Sequence, residues 1–119
     1  MRSIHELSVI KEVLVVVLKN AEDNKAQKVT GVTLRIGELR DLVDEWVQRY
    51  WNYSSKGTIA EGASINIIKI PVKCMCKDCG EIYSVDVHKV KELCCPNCSG
   101  SKASLISGKE FYIEGIEIL

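Results

Sequence analysis

Cys74-Met-Cys-Lys-Asp-Cys-Gly80 and Leu93-Cys-Cys-Pro-Asn-Cys-Ser99 are the stretches that decide the fold of this 119-residue chain, and they contain all six of its cysteines. Within them, Cys76-Lys-Asp-Cys79 and Cys95-Pro-Asn-Cys98 are Cys-x-x-Cys pairs with the separation typical of a zinc site. Two intervening residues let both thiolates of a tight turn face one ion. The sequence therefore predicts a tetrahedral zinc ion bound by Cys76, Cys79, Cys95 and Cys98.

Disulfides and a redox Cys-x-x-Cys motif are the alternatives to this zinc site. The paired spacing and an expected reducing compartment favour zinc. Four thiolates close the coordination shell and leave no position for water, so the zinc is predicted to be structural. Cys74 and Cys94 remain, and each is expected to pack as a small hydrophobic free thiol, with redox or metal exchange as the alternative.

The composition is that of a soluble protein with balanced charge. Sixteen basic and sixteen acidic side chains give a formal net charge of zero, without the basic excess usual in nucleic-acid binders. The longest apolar run, Val13 to Leu18, is too short to cross a bilayer, and no signal peptide is apparent at the start. We therefore expect a cytoplasmic protein that binds neither nucleic acid nor membrane.

Hydrophobic periodicity places two helices and three strands around the cysteines. The helices are expected from about His5 to Asn24 and from Asp41 or Asp44 to about Lys56, with Gly57 closing the second. Alternating patterns predict strands over 28–36, Ser64–Ile70 and Glu110–Ile118.

The last strand would have no partner behind a zinc knuckle, so it is expected to return to the sheet of the first half. The predicted fold class is α+β: two helices on a small three-stranded sheet with an inserted tetracysteine zinc knuckle. The predicted domains are residues 1–71 plus 105–119, and residues 72–104 for zinc.

Aromatic side chains of the second helix supply a prediction about its buried face. Trp46 and Tyr50 share a helical stripe and are expected in the core. Trp51 is expected at the edge of that stripe, where it would be available to a partner protein.

His5 and Glu6 form a second candidate metal site, near the amino terminus. Imidazole, deprotonated backbone amide and amine nitrogens make a tetragonal ligand set that suits nickel(II) or copper(II). A histidine at a helix start is also commonly a simple surface or capping side chain.

The whole chain resembles the HypA-type nickel-insertion accessory proteins. The resemblance rests on the order and spacing of several motifs. They are His5-Glu-Leu-Ser8, Arg35-Ile-Gly-Glu-Leu39, Gly57-Thr-Ile-Ala-Glu-Gly62, Cys76-Lys-Asp-Cys-Gly80, Cys95-Pro-Asn-Cys-Ser-Gly-Ser101 and Gly108-Lys-Glu-Phe-Tyr-Ile-Glu-Gly-Ile116.

This resemblance implies a nickel metallochaperone that matures nickel-iron hydrogenase and, in some organisms, urease. It implies that nickel is passed to the apo-enzyme, a hydrogenase large subunit or its maturation complex, with the GTPase partner HypB. By the same resemblance His5 supplies imidazole and backbone nitrogen, Glu6 supplies backbone nitrogen or a carboxylate, and His88 completes the shell in some states. Homodimers, including dimers that exchange segments, are also implied.

One departure from the family affects the nickel site. The family usually begins Met-His-Glu, whereas here Arg2-Ser-Ile4 precede the histidine. Translation can begin at Ile4, the first residues can be trimmed, or the nickel shell can be rebuilt with Glu38, Asp44 or His88. As written, the sequence predicts weaker or differently ligated nickel.

Two other functions compete with nickel delivery. No pattern of catalytic residues stands out, so enzymatic activity is not expected. A zinc-ribbon nucleic-acid module is one alternative, but its lysines are balanced by acids and only Tyr83 is placed to stack a base. A zinc-stabilised adaptor that has lost nickel is the other.

Overall fold

The structure, a computed structural model, describes residues 2–40, 44–86 and 94–119, with the backbone alone described for residues 2–6 and 44. In chain order its elements are α1 (Arg2–Asp23), β1 (Val29–Gly37), a 3-10 helix (Glu38–Arg40), α2 (Asp44–Ser54), β2 (Ser64–Ile70), β3 (Val72–Cys76), β4 (Ile82–Val85), β5 (Ala103–Ser107) and β6 (Phe111–Ile118). Within this described part, neither helix has a stretch long and apolar enough to cross a membrane.

The strands form two three-stranded sheets, ordered β2-β1-β6 and β4-β3-β5. The first sheet confirms that the last strand returns to the first half of the chain. Backbone bonds at both ends show that β1 and β6 are antiparallel: Leu119 N–H donates to Lys28 C=O at 2.8 Å, and Gly37 N–H to Glu110 C=O at 2.8 Å. The predicted fold class is confirmed, and the cysteine segment additionally has a sheet of its own.

The chain divides into two compact units. The first contains Met1–Leu34, Leu42–Ile68 and Tyr112–Leu119, and therefore both helices. The second contains Arg35–Asp41 and Lys69–Phe111, and therefore all six cysteines.

One face of α1 supplies much of the core of the first unit. Its buried side chains recur at helical spacing, while Val15 and Val16 between them are exposed. The buried set is Ile10, Val13, Leu14, Val17 and Ala21. This agrees with the hydrophobic periodicity from which the first helix was predicted.

The prediction for the aromatic residues of α2 is wrong. Trp51 is completely buried, and its indole N–H donates to the Ala60 carbonyl at 3.3 Å. Trp46 is 42% exposed and contacts the ring of Tyr50 at 5.8 Å between centroids. Both Trp46–Tyr50 and Val47–Trp51 have i,i+4 spacing, and the buried stripe is the second of these pairs. Trp51 is therefore a core residue and not a partner surface.

The ends of α2 are only partly described. Asp41 lies outside the described residues, whereas Asp44 is the first residue of the helix. Gly57, three residues beyond the helix end, has a φ of 81°. The left-handed conformation expected of a closing glycine is confirmed, but Gly57 lies in the turn that follows the helix, where Thr58 N–H donates to Ser55 C=O at 3.0 Å.

Candidate metal centre

The first of two cysteine knuckles, residues 76–81, connects β3 to β4. Its backbone closes on itself, because Gly80 N–H donates to Cys76 C=O at 2.9 Å and Cys76 N–H donates to Glu81 C=O at 2.8 Å. Gly80 has a φ of 80°, which a glycine adopts without a steric penalty. This tight turn brings Cys76 and Cys79 to one side.

The second knuckle, residues 95–100, has the same backbone pattern. Ser99 N–H donates to Cys95 C=O at 2.8 Å, and Cys95 N–H donates to Gly100 C=O at 2.9 Å. Ser99 occupies the position of Gly80 and has a φ of 61°. Cys95 and Cys98 therefore face one side of a similar turn.

The four sulfurs of the two knuckles converge on one point. All four lie within 4.8 Å of one another. The Sγ atoms of Cys76 and Cys98 are 3.5 Å apart, and those of Cys79 and Cys95 are 3.6 Å apart. Sulfurs bound tetrahedrally at about 2.3 Å from a zinc ion are separated by about 3.8 Å. The residues therefore fit one tetrahedral ion, and the donor set of four thiolates is one that Zn²⁺ prefers.

The structure also shows contacts in and between the knuckles for which the sequence predicted no role. The Asn97 side-chain amide donates to Cys79 Sγ at 3.6 Å, and its backbone N–H donates to Cys95 Sγ at 3.4 Å. A Cβ added to Gly100 would lie 2.5 Å from the carboxylate of Asp78. The Cys-x-x-Cys spacing gave no signal for the Asn97–Cys79 and Asp78–Gly100 contacts, because each joins residues that are far apart in the sequence.

Cys79 and Cys98, the second cysteine of each knuckle, differ in pKa. The amide of Asn97, followed by a backbone hydrogen bond at Glu81, lowers the pKa of Cys79 from 9.0 to about 7. For Cys98, the backbone hydrogen bond at Gly100 lowers the pKa, but the neighbouring Cys76 and Cys79 side chains and burial raise it to about 12. Cys79 is therefore the first of these two thiols to become a thiolate.

Cys74 and Cys94 have different surroundings. Cys74 is buried in the apolar cluster of Val72, Cys76, Tyr83 and Cys95, which confirms its prediction as a small hydrophobic side chain. Cys94 is exposed, so the same prediction is wrong for it. Neither belongs to the four-cysteine group found among the described residues.

Tyr83 lies directly opposite Cys74 in the β3–β4 ladder and is only 9% exposed. Its hydroxyl oxygen is buried without a hydrogen-bond partner in the described part of the chain. Burial, and then the nearby Cys74, raise its pKa. A ring in this position is not available to stack a nucleic-acid base.

The candidate nickel ligands are described only in part. His5 and Glu6 lie within α1, which begins three residues before His5, and only their backbone is described. His88 lies outside the described residues. Of the residues considered for a rebuilt shell, Glu38 begins the 3-10 helix and Asp44 begins α2.

Comparison with known proteins gives one family for nearly the whole chain. A family model described as "Hydrogenase/urease nickel incorporation, metallochaperone, hypA" matches residues 4–118. Two relatives named hydrogenase maturation factor HypA are similar to the chain over almost their full length. The protein from Dehalococcoides mccartyi is 37% identical, covering 96% of this chain and 93% of the relative. The protein from Methanocaldococcus jannaschii is 34% identical, covering 96% of each.

The fold also matches an experimental structure. The solution structure of the nickel metallochaperone HypA from Helicobacter pylori superposes with a TM-score of 0.63 and 20% sequence identity. The match covers 96% of this chain and 97% of that one. At this identity the likeness concerns the fold.

Proposed function

The chain belongs to the HypA family, and from that premise we propose that it is a nickel metallochaperone for the maturation of nickel-iron hydrogenase. The observation that carries this proposal is the family match over residues 4–118 in a chain whose four cysteines converge on one metal centre. The role is the binding and transfer of an ion, and no catalytic step is assigned to the chain. Delivery to urease is the narrower alternative within the same family.

We propose that Cys76, Cys79, Cys95 and Cys98 bind a structural zinc ion. The separations of the sulfurs and the two closed turns support this assignment. The zinc would stabilise the predicted zinc-binding domain, residues 72–104, which we call the cysteine unit. Its binding free energy contributes directly to the folding of that unit. With four protein ligands it leaves no open coordination position.

Nickel is proposed to bind at His5 and Glu6, in the predicted nickel-binding domain, residues 1–71 plus 105–119. Imidazole and backbone nitrogens form the tetragonal set that nickel(II) favours. The amide of Glu6 lies beyond the first four N–H groups of α1, so in a regular helix it is already hydrogen-bonded. Coordination through that amide therefore requires the first turn of α1 to unwind. His88 is the proposed additional ligand in some states.

The proposed partners follow from the same family role. They are a HypB-type GTPase and the hydrogenase large subunit or its maturation complex, and the chain is also proposed to form homodimers. A cytoplasmic location is proposed with them, because it agrees with a role in nickel insertion. No nucleic acid or membrane partner is proposed.

Two other functions make different predictions. A zinc-stabilised adaptor would keep the cysteine centre and bind no nickel. A zinc-ribbon nucleic-acid module would bind oligonucleotides with an affinity that falls as salt rises. The burial of Tyr83, the one aromatic side chain available in that segment for stacking, argues against the second function.

The test is a calorimetric titration of nickel into the zinc-loaded protein. The chain as written is compared with a form that begins Met-His-Glu and lacks Arg2-Ser-Ile4. We expect the short form to bind nickel at least about tenfold more tightly, because the amine and the histidine then close small chelate rings on one ion.

Single variants locate the site. His5→Ala should abolish nickel binding in both forms and leave the zinc content unchanged, whereas His88→Ala should weaken it only if His88 is a ligand. Unchanged nickel affinity in His5→Ala would place the site elsewhere. Absence of nickel binding in both forms would favour the zinc-stabilised adaptor.

A further inference from the structure

The sheet β4-β3-β5 has two faces of different character. Val72, Cys74 and Cys76 of β3 are buried on one face, whereas the intervening Lys73 and Met75 are exposed. Side chains alternate along a strand, so the pairing register assigns the neighbouring residues to the same two faces. We call the exposed face the outer face. It contains Lys73, Met75, Ile82, Ser84, Ser104 and Ser107.

The centre of the outer face is apolar. Met75 and Ile82 lie directly opposite each other in the β3–β4 ladder, and they are 36% and 57% exposed. On the other side of β3, Ile106 of β5 lies at the irregularity between the two strands and is 50% exposed. These side chains offer a small apolar contact surface to the solvent side of the sheet.

Lysines lie at both ends of this apolar centre. Lys73 is at one end, next to Ser84 and Ser107. At the other end Lys77 follows β3 directly, and its backbone N–H donates to the carbonyl of Lys102 at 3.0 Å, so these two lysines are neighbours. All three are exposed.

The outer face has no carboxylate among the positions that the described register assigns to it. Asp86, just beyond β4, already has an interaction partner. Asp78 and Glu81 belong to the first knuckle, where Asp78 approaches Gly100 and the Glu81 carbonyl accepts from Cys76. Among the described residues assigned to it, the outer face is therefore basic.

We propose that the outer face is a docking surface for an extended acidic segment of a partner protein. One apolar side chain of that segment packs on Met75 and Ile82, and carboxylates on either side of it meet Lys73 at one end and Lys77 with Lys102 at the other. Lys73 and Lys77 are four residues apart, about 13 Å along an extended strand. An extended segment with acids at positions i and i+4 and an apolar residue at i+2 has the matching repeat.

Charge and chemistry favour a protein segment over a nucleic acid for this face. A single-stranded nucleic acid needs aromatic platforms for its bases, and the centre of the outer face is aliphatic. Tyr83 belongs to the opposite, buried face. An apolar side chain flanked by carboxylates satisfies both parts of the surface at once, and opposite charges fix its register.

The ε-methyl signal of Met75 provides a local probe, because the chain has only two methionines, Met1 and Met75. Zinc-loaded full-length protein with labelled methionine methyl groups is titrated with a blocked peptide of sequence Glu-Ser-Leu-Ser-Glu. We expect the Met75 signal to shift and saturate while the Met1 signal does not. A peptide with lysines replacing the glutamates should produce no such shift. One with serine replacing the leucine should bind roughly tenfold more weakly.

Charge reversal tests the lysines. The shift of the Met75 signal should disappear in the triple variant Lys73→Glu/Lys77→Glu/Lys102→Glu. The control is a triple variant with the same charge change in the first unit, Lys11→Glu/Lys19→Glu/Lys56→Glu, and it should retain the shift. If the triple variant loses zinc, Lys73→Glu/Lys102→Glu tests the face without altering the residue next to Cys76.

Three outcomes would overturn the proposal: no shift of the Met75 signal, an equal shift with the lysine peptide, or a stronger response to a single-stranded oligonucleotide or to vesicles of phosphatidylserine and phosphatidylcholine. Nickel binding by these variants should match the unaltered protein. A failure of the docking surface is thereby distinguished from a failure of nickel delivery.

Discussion

The two knuckles have the same backbone hydrogen bonds and different chemical surroundings. In each, the N–H of the first cysteine donates to the carbonyl five residues later, and the N–H four residues later donates back to the first cysteine. The first knuckle lies between β3 and β4. The second knuckle lies within residues 94–102, which contain no strand. The first places Gly80 in the left-handed region, and the second places Ser99 there.

The difference continues in the thiols. Cys79 of the first knuckle receives a hydrogen bond from Asn97 of the second, which lowers its pKa. Cys98 of the second knuckle lies against Cys76 and Cys79, which raise its pKa despite the backbone hydrogen bond at Gly100. Similar turns thus give dissimilar thiols, because the side chains with the largest effect on each thiol belong to the opposite knuckle.

The largest expected effect tests whether the knuckles are equal partners in metal binding. Cys76→Ala and Cys95→Ala should each lose stoichiometric zinc and destabilise the cysteine unit, because the binding free energy of a structural zinc ion contributes to folding. Zinc content by mass spectrometry and urea unfolding would measure this. Cys74→Ala is the matched control: it removes a buried thiol outside the cluster and should keep its zinc. Stoichiometric zinc in Cys76→Ala would contradict the assignment.

A second, smaller effect separates the knuckles by reactivity. In chelator-treated protein at pH 7, iodoacetamide should modify Cys79 at least about tenfold faster than Cys98, because the thiolate is the nucleophile. The rate at Cys79 should rise between pH 6 and 8 and level off above its pKa of about 7. Asn97→Ala removes the largest cause of that low pKa and should move the rise of the reaction rate to higher pH. Equal rates at the two cysteines would show that the knuckles do not differ.

The sign of the pH effect on folding follows from the same pKa. Folding lowers the pKa of Cys79 from 9.0 to about 7, so the metal-free folded state favours its thiolate. The contribution of Cys79 to stability is complete above pH 9 and is lost as the pH falls through 7. The raised pKa of Cys98 acts in the opposite sense, since its contribution is present below pH 9 and is lost as the pH rises toward 12.

The smallest expected effect concerns the left-handed residue of each knuckle. Gly80→Ala should destabilise the zinc-loaded protein by about 1 kcal/mol, because a Cβ is unfavourable at a φ of 80° even though no atom lies within 4 Å of it. Ser99→Gly relieves the same strain, offset by greater freedom of the unfolded chain, and should stabilise by at most about 0.5 kcal/mol. The urea midpoints of the two variants should shift in opposite directions from that of the unaltered protein. A shift in the same direction for both variants would argue against equivalent turns.

Several elements could be predicted because their signals are local. The stripe of α1, the strand Ser64–Ile70 and the left-handed Gly57 depend on neighbours in sequence, and the structure has them as expected. The strands within the cysteine segment were not predicted, because β3 to β5 are short and pair across the knuckles.

The error on α2 shows where periodicity stops being informative. The pairs Trp46–Tyr50 and Val47–Trp51 differ by one residue, and both satisfy the spacing of a buried helical stripe. The choice depends on the carbonyl of Ala60, which accepts the indole N–H of Trp51, and on the packing around it. Nothing within the helix itself encodes that choice.

The sequence by itself determined which four cysteines can share an ion, because two Cys-x-x-Cys turns are local structures with a fixed reach. It also determined the two helices and the strands β1, β2 and β6. Only the tertiary structure decided which tryptophan is buried, which thiol is acidic and that Lys73, Lys77 and Lys102 share one face. Each of these depends on distances between residues far apart in the chain, and burial, hydrogen bonding and charge interaction act through such distances and not through sequence separation.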